Sequence, residues 1–392
     1  MKRYSAILFL LFSINVLAQK PVATVPFELY GEHLFIKLTV NNSEEELDFI
    51  FDTGDGLTVL NLATADRLNI RSDKKVKETS AGGRVTGYLV KHNKIHLDEI
   101  EIKDVQIYET PLTHLESAIG RKIDGIIGYD LLQKFVVEID YNSMEFHIFK
   151  FDGYKYGGTG TPINLKLRYA IPYVPGTIIL NTGDILQGNF FLETGARTDL
   201  DFNTPFVNQQ NLLSKVGDTY SYLVAGLSDH ETEHSRGRVH RFSVAGFTFE
   251  DLPVGLSQEL AGIQGDEEMA GIIGNEILHR FNVVLNYKKG KMWWSENDKF
   301  DGPFIVNCSG ILLQLDKTHT KLLVHQVYEN SPAQVAGLKK DDEIVEVNGK
   351  PASEFNLVEV RDLLAEDGET VTLKIKSGNE TREVQLKLKG LI

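Results

Sequence analysis

The chain has 392 residues, of which 42% are hydrophobic and 24% charged, and its formal net charge is −14. A chain of this length holds about two to three domains, and the composition is that of a globular protein rather than a disordered or fibrous one. The acidity and the lack of clustered Lys and Arg argue against a nucleic-acid partner, because phosphate backbones are bound by grouped basic side chains.

The N-terminus has the pattern of an export signal. Lys2 and Arg3 form a charged start, residues 7–17 form an apolar stretch too short to span a bilayer, and Ala18 is a small residue before a possible cut. We expect residues 1–18 to be a signal peptide and the mature protein to be periplasmic or extracellular. No later segment reaches transmembrane length, so we expect no membrane span.

Two apolar strands end in an acid-Thr-Gly motif, one in each half of the chain. The first follows a hairpin that turns at 41–42, and the second follows a hairpin that turns at 181–184. An Asn-Thr-Gly sequence at 181–183 has the position of a hairpin turn, so we interpret it as a turn only. The six motif residues are Asp52, Thr53, Gly54, Glu193, Thr194 and Gly195.

A second pattern also occurs twice. Residues 124–137 are repeated at 270–283, with ten aligned pairs that are identical or of like type. Each copy predicts an apolar strand, a short helix and a hairpin, and the hairpins turn at 142–143 and 288–290. Since each copy follows its acid-Thr-Gly motif at a similar distance, the sequence predicts a duplicated unit.

The Asp-Thr-Gly motif, the glycine-rich hairpin after it and the Ile-Ile-Gly strand that opens a short helix resemble the retropepsin family of aspartic proteases. The resemblance covers roughly residues 25–296 and implies a mainly β fold with two duplicated acid-protease β-barrel lobes, at 22–153 and 158–300. A retropepsin lobe is one subunit of a dimer. Two lobes in one chain would form the pair alone, so we expect a monomer.

The resemblance also implies the site. Asp52 and Glu193 would be the catalytic acids, Thr53 and Thr194 would brace the lobes, and Gly54 and Gly195 would let the backbone turn. Two carboxyl groups held ~3 Å apart share one proton, so one deprotonates a water while the other polarises the scissile carbonyl of a polypeptide substrate. No cofactor is implied. The substrate-covering flaps would contain Ala81, Gly82, Gly83, Ala225 and Gly226.

Two residues depart from the family pattern. Glu193 replaces the second Asp and adds a methylene group, and Asp55 stands where the family usually has Ala or Ser. A dyad needs placement within about 0.5 Å, and a further carboxylate raises the cost of ionising its neighbours. Two functions therefore stay open: an aspartic-type peptidase, and a catalytically inactive pseudoprotease that acts as an envelope peptide-binding adaptor.

Residues His230–His234 match the H-E-x-x-H pattern of zinc proteases. That pattern needs a helix with apolar neighbours, whereas polar and charged residues flank this stretch. We therefore expect a charged, exposed loop and no metal. A metalloprotease would need a third ligand, which the sequence does not identify.

The C-terminal part has a different signature. Its Ser-Pro-Ala, Ala-Gly-Leu and Val-Asn-Gly motifs resemble the PDZ domains of bacterial envelope proteases, and the likeness covers residues 303–390. PDZ domains bind a C-terminal carboxylate in a nest of backbone amides and add the peptide as a strand. A C-terminal or internal peptide is the implied partner; the alternative is a domain that only packs on the lobes. The implied binding residues are Ser309, Gly310, Ile311 and Leu312.

Overall fold

The protein is mainly β, as the sequence predicts. The computed structural model describes residues 19–72, 74–80 and 83–392, and the strands in this part of the chain form sheets of 13, 8 and 6 strands. The predicted signal peptide, residues 1–18, and the predicted flap residues Ala81 and Gly82 lie outside the described residues. Within the described ranges, no helix is long and apolar enough to cross a membrane.

The first lobe consists of short strands with one buried face. In its first strand Ala23, Val25 and Phe27 are buried and the residues between them are exposed, which is the alternation of a strand that covers a core. The strands are β1 (Ala23–Tyr30), β2 (His33–Val40), β3 (Leu47–Phe51), β4 (Thr58–Asn61), β5 (Lys75–Ser80), β6 (Gly83–Leu97), β7 (Ile100–Thr110), β8 (Gly125–Ile127), β9 (Val136–Asp140) and β10 (Glu145–Phe149). The helices are α1 (Leu62–Arg67), α2 (Thr113–Ile119) and α3 (Tyr129–Leu132).

The second lobe has the same kinds of element. Its strands are β11 (Pro162–Asn164), β12 (Lys166–Arg168), β13 (Ile171–Ile179), β14 (Ile185–Leu192), β15 (Leu200–Phe202), β16 (Tyr220–Ala225), β17 (Glu231–Val244), β18 (Phe247–Ser257), β19 (Gly271–Ile273), β20 (Phe281–Asn286) and β21 (Lys291–Glu296). The helices are α4 (Thr204–Gln210) and α5 (Asn275–Leu278), and 3₁₀ turns lie at Leu212–Ser214, Ile263–Gly265 and Tyr287–Lys289.

The two lobes share one strand order. The order β2-β3-β8-β4-β7-β6-β5 in the first lobe corresponds to β13-β14-β19-β15-β18-β17-β16 in the second. The directions agree as well, since β3 with β8 and β14 with β19 are parallel pairs, as are β4 with β7 and β15 with β18. This repeated topology is what a duplicated chain would give; the duplication itself stays a prediction.

A shared sheet joins the lobes. Strand β20 of the second lobe pairs antiparallel with β9 of the first, with Val284 opposite Glu138, and the buried apolar side chains of both lobes form one cluster. Polar contacts support the junction: Tyr141 donates a hydrogen bond to Asn275 (2.6 Å), which donates to the carbonyl of Glu32 (2.8 Å). The lobes are therefore held in a fixed relation by backbone pairing.

The C-terminal domain has a separate apolar core that runs from Cys308 to Leu388. A capping box starts its longer helix, because Asn356 accepts hydrogen bonds from the N–H groups of Val358 and Glu359 while the Glu359 side chain caps Asn356. The strands are β22 (Ile311–Leu315), β23 (Leu322–Val327), β24 (Glu343–Val347), β25 (Lys350–Pro351), β26 (Thr370–Ser377) and β27 (Glu380–Lys387). The helices are α6 (Pro332–Val335) and α7 (Leu357–Leu363), with a 3₁₀ turn at Ala352–Glu354.

Candidate active site

The two acid-Thr-Gly loops meet between the lobes. The Thr53 N–H donates to Thr194 Oγ1 (3.0 Å), and the Thr194 N–H donates to Thr53 Oγ1 (3.1 Å). Each hydroxyl donates in turn to a carbonyl of the facing loop's strand, Thr53 to Leu192 (2.6 Å) and Thr194 to Phe51 (3.1 Å). Because both Thr side chains are buried, these four hydrogen bonds form a threonine brace that fixes the separation of the loops.

Asp52 lies at the end of β3 and accepts two backbone hydrogen bonds. Its Oδ1 atom accepts from the N–H of Gly54 (2.7 Å) and from the N–H of Gly195 in the other lobe (3.1 Å). Both positions require glycine, because a side chain would collide with the acid of the facing loop. A Cβ on Gly195 would lie 2.2 Å from Asp52 Oδ2, and one on Gly54 would lie 2.7 Å from Glu193 Cγ. The carboxylate of Asp52 is thus bound by both loops.

Glu193 takes the equivalent place at the end of β14 but has different partners. Its carboxyl group accepts from neither glycine, and its buried Oε1 atom has no hydrogen-bond partner within the described part of the chain. A Cβ atom on Gly54 would lie 2.9 Å from Glu193 Cδ and 3.1 Å from Asp52 Oδ1. The two carboxyl groups are therefore neighbours within about 6 Å of each other. The two predicted catalytic acids therefore come together.

The surroundings of the two acids act differently on their pKa values. Burial, and then the charges of Asp52, Asp201 and Asp55, raise the pKa of Glu193 well above its ordinary value. Burial also raises the pKa of Asp52, but the N–H groups of Gly54 and Gly195 oppose that rise because they stabilise the anion. When one proton is shared, the arrangement favours an ionised Asp52 and a protonated Glu193.

Asp55 lies beside the dyad, as its place in the sequence predicts. Its Oδ1 accepts a hydrogen bond from the Leu57 N–H (3.3 Å), and its side chain lines the same cleft. Burial and the charge of Asp52 raise the pKa of Asp55 well above its usual range. A further buried carboxyl group with a raised pKa therefore lies next to the dyad.

The dyad opens into a cleft of about 750 Å³, a size typical of ligand pockets. The predicted flap residues Ala225 and Gly226 line it, at the end of β16, and His114 Nε2 lies 3.0 Å from the Gly226 carbonyl oxygen. In the first lobe, Gly83 pairs with Ser80 at the tip of the β5–β6 hairpin. A hairpin therefore lies at each predicted flap position.

Several cleft residues were not predicted from the sequence. Asp201 lies on β15, opposite Ile272 of β19, and accepts a hydrogen bond from Thr198 (3.0 Å). The corresponding pair in the first lobe is Val59 opposite Ile126. Aligning the two lobes strand by strand would have found this carboxylate at an apolar position. The missed cleft residues with basic side chains are His33, Arg197, Arg236 and Arg361.

The H-E-x-x-H stretch differs from its prediction. Residues from Glu231 onward form strand β17, and His234 is completely buried, with its Nε2 3.1 Å from Gln264 Oε1. The prediction of a charged, exposed loop is wrong because pairing with β16 and β18 draws this polar stretch into the sheet. Over a strand, residues four apart are separated by roughly 13 Å, too far to share a zinc ion.

One group of side chains in the described part of the chain could hold a metal ion. The ligand atoms of Glu32, Glu276 and His279 lie within 4.8 Å of one another at the junction of the lobes. Glu32 already pairs with His279 Nδ1. Burial and the charge of Glu32 raise the pKa of Glu276 to about 8, so Glu276 is largely neutral at pH 7 and the group serves to join the lobes.

The amides of the predicted PDZ nest are occupied from within the domain. Asn307 Oδ1 accepts hydrogen bonds from the N–H groups of Ser309 (3.0 Å) and Gly310 (2.7 Å), and Ser309 Oγ accepts from the Ile311 N–H (3.2 Å). The strand that was predicted to pair with a bound peptide, from Leu312 onward, is the edge strand β22. The sequence did not predict the role of Asn307, which satisfies donors that a bound carboxylate would need.

The walls of the predicted peptide groove contact the two N-terminal lobes. Arg361 of α7 donates to the carbonyl of Leu313 on β22 and to that of Ala118 on α2, both at 2.7 Å. On the other side, Tyr328 stacks on Tyr220 of the second flap hairpin, with ring centroids 4.9 Å apart. The groove is therefore bridged at Arg361, and the domain contacts both lobes.

Comparison with known proteins identifies both kinds of domain. A family model described as aspartyl protease matches residues 36–131, which include Asp52 but not Glu193, and a PDZ domain model matches residues 323–377. The chain is also 32% identical over 94 residues to the probable CtpA-like serine protease of Staphylococcus aureus strains COL, N315 and MW2. That match covers 24% of this chain and 18% of the length of each relative. The chain thus combines an aspartyl protease-like domain with a PDZ domain.

Proposed function

We propose that this chain, which joins an aspartyl protease-like domain to a PDZ domain, is an aspartic-type peptidase that hydrolyses extended polypeptides. The observation that carries the proposal is the pairing of Asp52 with Glu193 across the threonine brace, in a cleft large enough for a peptide. The domain matches and the protease-named relatives support the same class of reaction.

In the proposed mechanism Asp52 is the base and Glu193 the acid. A water between the carboxyl groups gives a proton to Asp52 as its oxygen attacks the scissile carbonyl carbon, and the Glu193 O–H donates to the carbonyl oxygen. The C–N bond then breaks as the proton on Asp52 passes to the leaving nitrogen. One water is consumed, and Glu193 ends protonated as it began.

The second candidate function is a catalytically inactive peptide-binding adaptor. One observation favours it: the Gly195 N–H donates to Asp52, and the buried Oε1 of Glu193 has no partner among the residues that the structure describes. A carboxyl group without a fixed partner is less well positioned for proton transfer.

A cleavage assay on a peptide library from pH 4 to pH 8 separates the two candidates. We expect Asp52→Asn and Glu193→Gln each to lower kcat by about 10²–10⁴-fold, because each removes one proton-transfer group. Asp184→Asn, in an exposed turn, is the matched control and should keep wild-type activity. Activity that survives in Asp52→Asn would contradict the dyad; peptide binding without cleavage by the wild type would favour the adaptor.

We further propose that the PDZ domain completes the cleft and steadies the second flap. The Leu223 N–H donates to Gln326 (2.9 Å), and Glu231 pairs with His325, so the hairpin that carries the flap is held from the C-terminal domain. Export through removal of residues 1–18, a monomeric state and the domain limits 22–153, 158–300 and 303–390 belong to the same proposal. Their support is the sequence pattern and the intramolecular pairing of the lobes.

A further inference from the structure

The PDZ domain contributes a cation to the cleft of the protease lobes. Arg361, on α7, lines the same cleft as Asp52 and Glu193. One nitrogen of its guanidinium, Nη2, is held by the carbonyls of Ala118 and Leu313, and the residue has no ion pair within the described part of the chain. Its position is thus fixed by neutral partners.

A second arginine lines the cleft from the second lobe. Arg197 follows Gly195 by two residues, is exposed, and forms neither a hydrogen bond nor an ion pair with any residue that the structure describes. Arg236 lines the cleft as well, but it pairs with Asp199, which balances its charge. Among the described residues, Arg197 and Arg361 are therefore the two cleft arginines that form no ion pair.

The two arginines are close enough to repel each other. Burial, and then the charge of Arg197, lower the pKa of Arg361 to about 9. Both charges also act on His33, whose pKa is lowered to about 4, first by burial and then by Arg197. Like charges in one cleft are stabilised when an anion binds between them.

His33 adds a polar group to this part of the cleft. Its side chain lines the cleft, only 8% of the residue is exposed, and its Nδ1 atom has no hydrogen-bond partner in the described ranges. Because Nδ1 is itself covered from solvent, His33 contributes a polar wall to this part of the cleft and not an exposed ligand-binding atom.

We propose that Arg197 and Arg361, with His33 beside them, form a subsite that binds a carboxylate of the peptide substrate. The planar, forked guanidinium group matches a carboxylate, and charge-assisted hydrogen bonds of this kind are about twice as strong as neutral ones. The carboxylate comes from an acidic side chain or from the C-terminus of the substrate. The inference rests on the proposed function, because it names the substrates of the same cleft.

Binding to an uncleaving variant tests the subsite without requiring activity. Asp52→Asn protein is titrated with fluorescent octapeptides in which a single Glu, or Gln as its match, is moved through all eight positions, each with a free or an amidated C-terminus. We expect a preference for Glu at one position, or for the free C-terminus, of at least about tenfold, the effect of one charge-assisted contact. The positional series tests an acidic side chain as the source of the carboxylate, and the comparison of free with amidated peptides tests the C-terminus.

Arginine variants assign that preference. In the same background, Arg197→Gln and Arg361→Gln should each reduce the preference at least about fivefold, and Arg197→Glu should reverse it so that Gln binds better than Glu. Arg241→Gln, on the exposed part of β17, is the matched control and should retain it. Arg197 carries the test alone if Arg361→Gln fails to fold, since Arg197 is exposed and forms no hydrogen bond or ion pair within the described residues.

The outcomes distinguish this inference from the proposed function. No preference for a carboxylate, or one that both Gln variants retain, overturns the subsite even if the wild type cleaves peptides. An Arg197-dependent preference in a protein that cleaves nothing leaves the subsite standing and overturns the peptidase.

Discussion

At the scale of single residues, one methylene group makes the two halves of the dyad unequal. The longer side chain of Glu193 approaches Gly54, and the Gly195 N–H donates to Asp52. An ionised carboxylate gains most from such donors, so both loops stabilise the same anion. The departure from two aspartates thus coincides with the division of roles between base and acid in the proposed mechanism.

Glu193→Asp tests this division. The shorter carboxyl group would lie within reach of the Gly195 N–H, which stabilises its ionised form and lowers its pKa. Since activity requires the protonated acid, we expect the basic limb of the kcat/KM profile against pH to move to lower pH, with kcat changed by up to about a hundredfold through repositioning. Wild type, by contrast, should remain active above the ordinary pKa range of carboxyl groups, because the pKa of Glu193 is raised.

The measurement is a pH–rate profile of both proteins under identical ionic strength. A basic limb at the same pH in wild type and Glu193→Asp would show that another group, of which Asp55 is the nearest candidate, sets it.

Individual residues also show which parts of the candidate site could be predicted from the sequence. The motif residues Asp52 and Glu193 were predicted because each lies in a contiguous, repeated pattern, and the structure brings them together as expected. Their catalytic roles stay predictions. Arg197 and Arg361 were missed because their proximity depends on how two domains dock, which no local pattern encodes. Asn307 was missed because a side-chain hydrogen bond to a loop depends on a rotamer.

At the scale of elements, the threonine brace connects two loops that are far apart in the chain. Each threonine hydroxyl accepts a hydrogen bond from the facing loop and donates one to the strand that leads into that loop, so the brace depends on hydroxyl groups and not on the shape of the side chain. Valine has the same shape and lacks both functions.

Thr194→Val should therefore destabilise the protein and weaken the dyad. It leaves the Thr53 N–H and the Phe51 carbonyl without partners in a buried place, which costs about 2–4 kcal/mol of the free energy of unfolding. Urea unfolding measures this loss. Thr182→Val, in the exposed turn between β13 and β14, is the control and should change stability by less than about 0.5 kcal/mol.

A loss below about 1 kcal/mol in Thr194→Val would mean that water or a shifted loop replaces the brace. In that case the separation of the two acids would be set by the strands alone.

The elements also show why one local prediction failed. The strands, short helices and hairpins of both lobes follow from apolar patterns and turn residues, and the four predicted hairpin turns all connect paired strands. The stretch that begins at His230 has no such pattern. Its strand structure comes from pairing on both sides with β16 and β18, which is a tertiary effect.

At the scale of the whole molecule, the sheet that contains β9 and β20 makes the two lobes one folding unit. Their backbone pairing crosses the junction, and the apolar cluster is continuous through it. The C-terminal domain has its own core and contacts the lobes through polar contacts, one ring stack and the close approach of Leu357 to Gly120. We expect the lobes to unfold together and the C-terminal domain to be the more separable part.

Val284→Ala checks this coupling. Val284 lies on β20, is 2% exposed and pairs opposite Glu138 of the first lobe, so truncation should cost about 1–3 kcal/mol. Hydrogen exchange should then increase in both β3 and β14, one in each lobe, by a similar factor. Val335→Ala, on exposed helix α6, is the control. Faster exchange confined to the second lobe would show that the lobes unfold separately.

The contacts of the C-terminal domain with α2 and with the second flap hairpin bear on the order in which the protein is made. Translation completes both acid-Thr-Gly loops well before Arg361, Gln326 and Tyr328 leave the ribosome. A growing chain can therefore assemble its dyad while one wall of the cleft and the support of a flap are still missing. A copy that lacks the C-terminal domain would carry the two acids without the complete cleft, so the cleft is complete only when that domain has docked on both lobes.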